Sequence, residues 1–205
     1  MKAKQMMWTL SSLLLLAALA GCRSHSFLPQ QADAPNWFAE IKARAEKGDA
    51  QAQCSLGICY NKGACVAADP VEAVQWYRKA AEQGLARAQC NLGICYENGE
   101  GVAKDAVEAV QWYRKAAEQG YADAQCNLGA CYYNGEGVAS NYVEAHKWFS
   151  LASAEGDEDA KQNLSMAERQ MTTKQIAEAQ QLAQEFKPRK VPDPAVSPFG
   201  QPPKP

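Results

Sequence analysis

Histidine is scarce in this 205-residue chain, where His25 and His146 are the only two. Neither His-Glu-x-x-His nor Ser-x-x-Lys occurs. The first absence removes the helical zinc-hydrolase arrangement, and the second removes the serine–lysine pair of acyl-enzymes. No glycine-rich loop joins an apolar strand to a helix, as a phosphate cradle requires. Charge of one sign is also lacking, with 23 Asp and Glu against 21 Lys and Arg. The basic residues form no stripe, which argues against nucleic acid as a partner. Long apolar runs are missing too, except between Met6 and Ala20, and that one is short for a membrane span.

Repetition is what the chain has in abundance. Residues 50–85, 86–121 and 122–157 align without a gap, and the first two units differ at nine positions. The register is marked by Leu56-Gly57, Leu92-Gly93 and Leu128-Gly129, by Tyr60, Tyr96 and Tyr132, by Trp76, Trp112 and Trp148, and by Gly84, Gly120 and Gly156. A period of this length means stacked supersecondary units, each too small to bury its own apolar face. Such an array offers a long groove for binding.

Each unit reads as two helices. In the first, Ala52, Leu56, Cys59 and Tyr60 share one face at helical spacing, and Gly63 ends the helix in a left-handed cap. The second opens at Asp69 with Pro70 in the first turn, and Glu72 makes a capping-box-like pair repeated by Asp105/Glu108 and Asn141/Glu144. Val74, Tyr77 and Ala81 give it a broad apolar stripe. Gly57, Gly93 and Gly129 sit in mid-helix at a cost of about 1 kcal/mol each against Ala, so close helix contact is expected there. Residues 36–49 match the second half of a unit and read as an N-terminal capping helix. Residues 158–186 read as C-terminal capping helices, the last opened by Thr172 and Gln175. Seven prolines between Pro188 and Pro205 make residues 187–205 an extended, disordered tail.

The pattern Ala-x-x-x-Leu-Gly-x-x-Tyr-x-x-Gly-x-Gly-Val, followed by Glu-Ala-x-x-Trp-x-x-x-Ala-Ala-x-x-Gly, resembles the Sel1-like repeat, a relative of the tetratricopeptide repeat. Unit two fits through Ala88, Leu92-Gly93, Tyr96, Gly99, Gly101-Val102, Glu108-Ala109, Trp112, Ala116-Ala117 and Gly120. Unit three has Ser153 at the second alanine of the pair, and unit one has Cys65 in place of the second loop glycine. The resemblance implies an all-α, right-handed α-solenoid of stacked helix-turn-helix units with capping helices. It implies a non-enzymatic adaptor or scaffold, with lipoprotein members serving envelope complexes. Two alternatives accompany it. One is a β-lactamase-like activity, described for cysteine-rich relatives, and the other is a purely structural envelope protein.

In the tetratricopeptide relatives the first helices line the groove. The matching positions that vary between units give Arg87, Ile94, Glu97, Asn98, Asp123, Tyr133 and Asn134 as the expected partner-binding residues. The mixed lining suits a protein or peptide segment. Tyr133 leads this set, because units one and two carry Asn61 and Glu97 at its position and tyrosine is enriched at hot spots.

The ends place the array in a cell. Residues 1–21 have a basic start, a short apolar core and a small-residue end, as a secretory signal does. Leu19-Ala20-Gly21-Cys22 is similar to a bacterial lipobox, which implies cleavage before Cys22 and its lipidation. Residues 22–35 then form a polar tether, and several acyl chains on one cysteine would anchor it stably. Arg23 after Cys22, instead of an aspartate, implies the outer membrane of a Gram-negative cell, with the array facing the periplasm.

Seven cysteines remain. Cys54/Cys59, Cys90/Cys95 and Cys126/Cys131 are pairs five residues apart, about 140° around a helix and about 7.5 Å along it, which forbids a bridge within a pair. Bridges between units, small buried thiols and a metal site all stay open here, as does the state of Cys65. An envelope location favours oxidation. Cysteine-rich relatives from Helicobacter pair within a repeat at a different spacing, so their connectivity does not transfer. His146, at the position of Val74 and Val110, reads as structural variation. No cofactor, metal or nucleic acid is expected; the partners are an envelope protein or peptide and, through Cys22, the membrane.

Overall fold

The computed structural model describes residues 36–63 and 66–189. The signal segment, Cys22, the tether, Cys65 and residues 190–205 lie outside them. Among the described residues there are nine helices and no strand. They are α1 (Asn36–Glu46), α2 (Ala50–Lys62), α3 (Pro70–Glu82), α4 (Ala86–Asn98), α5 (Ala106–Ala117), α6 (Ala122–Asn134), α7 (Tyr142–Ala154), α8 (Glu158–Glu168) and α9 (Thr173–Glu185). Helices α1 to α7 each pack on the next in sequence, and α9 folds back onto α7.

Local chemistry sets the boundaries. Asp49, Asp69, Asp105, Asn141 and Asp157 each cap a helix by accepting a backbone N–H two or three residues on. Thr172 and Gln175 form a full capping box. The pairs at α3 and α7 do not close that way. Glu72 instead accepts from the Trp76 indole at 2.9 Å, and Glu144 from the Trp148 indole at 3.0 Å. Both indoles are nearly buried, so their N–H groups need an acceptor more than the exposed caps do.

The mid-helix glycines are spacers. A Cβ on Gly57 or Gly93 would lie 2.6 Å from the ring of Tyr77 or Tyr113, and one on Gly129 would lie 2.7 Å from Phe149. Gly101 and Gly137 make a second close approach, between units: a Cβ there would fall on the carbonyls of Pro70 and Ala106. Unit one carries Cys65 at this position in the sequence, outside the described residues.

Units are held together by a repeated set of bonds. The buried Gln53, Gln89 and Gln125 each donate to the carbonyl of Ala45, Ala81 or Ala117 at the end of the preceding second helix. Within each unit Gln83 and Gln119 donate to the side-chain amide oxygens of Gln53 and Gln89 at 2.7 and 2.8 Å, holding those glutamines in place. Glu155 replaces the third donor, and the Gln125 oxygen is left buried without a partner. Arg78 and Arg114 reach the hydroxyls of Tyr96 and Tyr132 in the next unit at 2.7 and 2.8 Å. At the C-terminal end Phe186 packs edge-on against Trp148, and Arg189 returns to unit two with its amide 2.7 Å from the Glu118 carbonyl.

Candidate functional site

The first helices present the varying side chains, and adjacent first helices touch at one repeated point. The amides of Asn91, Asn127 and Asn163 approach the sulfurs of Cys54, Cys90 and Cys126 at 3.9, 3.8 and 3.8 Å. This row defines a floor shared by α2, α4, α6 and α8. Among the described residues, three of the cavities bear on this face. The first, about 240 Å³, lies between α2 and α4 and is lined by Ile58, Asn61, Lys62, Arg87, Asn91 and Ile94, among others. The second, also about 240 Å³, has Glu97, Lys104, Cys131 and Glu136 in its wall. The third, about 160 Å³, lies between α6 and α8 and is lined by Ala130, Tyr133, Asn134, Phe149, Asn163 and Met166. The first and third correspond residue for residue, Ile58, Asn61, Lys62 and Tyr77 standing where Ala130, Tyr133, Asn134 and Phe149 stand two units later.

The seven groove residues named from sequence divide among these cavities. Arg87 and Ile94 line the first, Glu97 the second, and Tyr133 and Asn134 the third. Asn98 and Asp123 line none of the three; both are exposed, Asn98 bonded to Glu100 and Asp123 accepting from the Tyr121 hydroxyl at 3.0 Å. Glu97 is engaged, taking the Tyr113 hydroxyl at 2.7 Å. Tyr133 is half-buried and packs edge-on against Tyr142 with centroids 5.4 Å apart, so it both lines the groove and fixes the start of α7. Sequence reasoning missed Asn91, Asn163 and Met166. Their signal was available, since Asn91, Asn127 and Asn163 recur at one register position.

The thiols are structural. Cys54, Cys90, Cys95, Cys126 and Cys131 are free, and four of them are buried. Burial pushes their pKa values up, to about 11 for Cys54, Cys95 and Cys126 and to about 12 for Cys90 and Cys131. A thiol so raised is a poor nucleophile and a poor metal ligand near neutral pH. Among the described residues no group of three or more His, Cys, Asp or Glu is arranged to hold a metal ion.

His146 has two contacts of the kind that acid–base chemistry uses, Ser150 at 3.2 Å from Nδ1 and Glu168 at 3.2 Å from Nε2. Position by position these three replace Val110, Arg114 and Tyr132 of the previous unit. The imidazole thus links α7 to α8 where Arg114 links α5 to α6, and with 1% exposure it has no open face for a substrate. This is the role of a structural link.

No helix among the described residues is long and apolar enough to cross a membrane. A Sel1 repeat family model matches residues 50–85, 86–121 and 122–157. The chain is similar to a protective antigen of uropathogenic Escherichia coli that displays an SLR fold, with 40% identity and a TM-score of 0.69 over 73% of this chain and 32% of that one. It therefore spans about a third of the antigen's length. A Sel1 repeat protein from Oxalobacter formigenes is 40% identical with a TM-score of 0.58, over 64% of this chain and 98% of that one. The cysteine-rich protein B of Helicobacter pylori is 31% identical with a TM-score of 0.50, over 60% and 94%. A search of curated proteins finds no match. Sel1 repeats are in general non-catalytic scaffolds for protein interaction. Three consecutive matched units, covering more than half of its length, show that the chain belongs to the Sel1 repeat family.

Proposed function

We propose that this protein is a non-enzymatic adaptor of the bacterial cell envelope, anchored through a lipidated Cys22 and binding a protein or peptide segment along its first helices. One observation carries the reading. The first and third cavities sit in corresponding places between successive first helices, yet their side chains change while the packing residues of the units repeat. A surface that varies on a frame that does not is what recognition by a repeat array requires. The individual volumes fall below the roughly 300–1,000 Å³ of small-molecule sites, and their succession along the array suits an extended chain. Support for the anchor comes from Leu19-Ala20-Gly21-Cys22 and the basic, apolar segment before it. Arg23 supports the outer membrane as the destination.

The test is affinity capture from detergent-solubilised envelope. Tyr133→Ala combined with Arg87→Glu should keep the helical fold with a modestly lowered melting point, since Tyr133 packs on Tyr142, and weaken capture of the partner at least tenfold, about 1.4 kcal/mol. Equal capture by the double variant would move the binding surface off the groove.

A further inference from the structure

We infer that the groove selects an extended peptide bearing an acidic side chain at its repeat-one end and an apolar side chain at the α6–α8 end. This rests on the groove reading above and specifies the occupant.

The charge argument starts from the first cavity. Lys62 and Arg87 both line it and are both exposed; neither makes a hydrogen bond or ion pair among the described residues, and no carboxylate lines the cavity. The cations of the second helices α3 and α5 are by contrast committed, Arg78 and Arg114 to tyrosine hydroxyls and Lys79 and Lys115 to the faces of Trp76 and Trp112. Two uncommitted cations in one concavity, with the Asn61 amide beside them, fit a carboxylate. The following units reverse the sign, because Asp123 and Asp159 stand at the position of Arg87. An acidic group is therefore drawn to one end of the groove and repelled from the other.

The third cavity has the opposite character. Phe149 stands where the earlier units have Tyr77 and Tyr113, so the hydroxyl is gone from its wall. Tyr133, Ala130 and Met166 make the lining mostly apolar, with the amides of Asn134 and Asn163 as its polar part, and Met166 is 44% exposed although large and hydrophobic. An apolar space of about 150 Å³ accepts a benzene-sized group, so this cavity of about 160 Å³ takes one aliphatic or aromatic side chain. The two cavities lie two units apart. Neighbouring helices are spaced by about 8–10 Å, giving about 16–20 Å, which an extended chain covers in about five or six residues.

The experiment is selection of phage-displayed random dodecapeptides on the detergent-solubilised full chain. Enriched peptides should share an acidic and an apolar residue about five or six positions apart, in one order. Lys62→Glu with Arg87→Glu should switch the selected charge to basic and keep the apolar residue. Met166→Glu should abolish the apolar preference and keep the acidic one. Each variant should weaken a wild-type-selected peptide at least tenfold with unchanged melting, since all three positions are exposed. Peptides that lack the acid–apolar pair, or that ignore these variants while still lost on Tyr133→Ala, would overturn this inference and leave groove binding standing. Binding indifferent to every groove substitution would overturn both. No enrichment at all would overturn the peptide occupant and leave the capture experiment to judge a folded partner.

Discussion

At the scale of the residue, the cysteines carry the sharpest consequence. Their spacing excludes a bridge within a pair, but their fate between units depends on how neighbouring helices sit, which no spacing reveals. In the structure Asn91, Asn127 and Asn163 sit against Cys54, Cys90 and Cys126, and the thiols act as small buried groups. With Cys22, Cys59 and Cys65 replaced by alanine, the remaining five thiols should resist a disulfide reagent near neutral pH and all react in concentrated guanidinium. A titre near zero after unfolding without reductant would show disulfides. The same burial gives a pH dependence. Each folded thiol pKa is raised from 9.0 to about 11 or 12, so the folded state holds protons that the unfolded chain releases. That contribution is complete below pH 9.0 and lost as pH rises through the folded values, so thermal midpoints should fall steeply between about pH 9 and 11.

At the scale of the element, boundaries are legible in the sequence because caps and turn glycines act locally. Asp69, Asp105 and Asn141 cap as their spacing requires, and Gly63, Gly99 and Gly135 take the left-handed conformation. Glu72 and Glu144 look like box partners in the sequence because the competing indole donor belongs to tertiary burial, beyond the reach of a capping pattern. The Gln53, Gln89 and Gln125 row stays hidden for a related reason: a buried glutamine looks like a surface residue until its carbonyl partner one helix back is placed. The tryptophan column leads to a prediction here. Trp112 is half-buried against the core built from α3 and α4, under the ammonium of Lys115 at 3.7 Å. Trp112→Ala should cost about 3 kcal/mol, the lower end for large aromatic truncations. Because stability passes between nearest neighbours, chemical denaturation should lose its single cooperative transition. An unchanged denaturation midpoint would place the column outside the core.

At the scale of the whole molecule, the repeat makes the fold class readable from a first alignment, since period and landmark residues determine how units stack. The ligand is far less legible. Arg87 and Tyr133 stand out by their variation, but Lys62 gains meaning only with Arg87 beside it, and Met166 only with Phe149 behind it. Anchoring belongs to this scale too. Cys22→Ala should leave uncleaved precursor or released protein in cell fractionation, and a mature, acyl-bearing variant still in the membrane fraction would refute the lipid anchor. The most direct test of a first-helix recognition face is site-specific photo-crosslinking in intact cells. The photoreactive residue is placed in turn at Arg87 and Ile94 on α4, and at the exposed Gln75 and Gln111 on α3 and α5. Recognition by the first helices predicts a discrete crosslinked partner from Arg87 and Ile94 and none from Gln75 and Gln111. Crosslinks from the second-helix positions alone would contradict it.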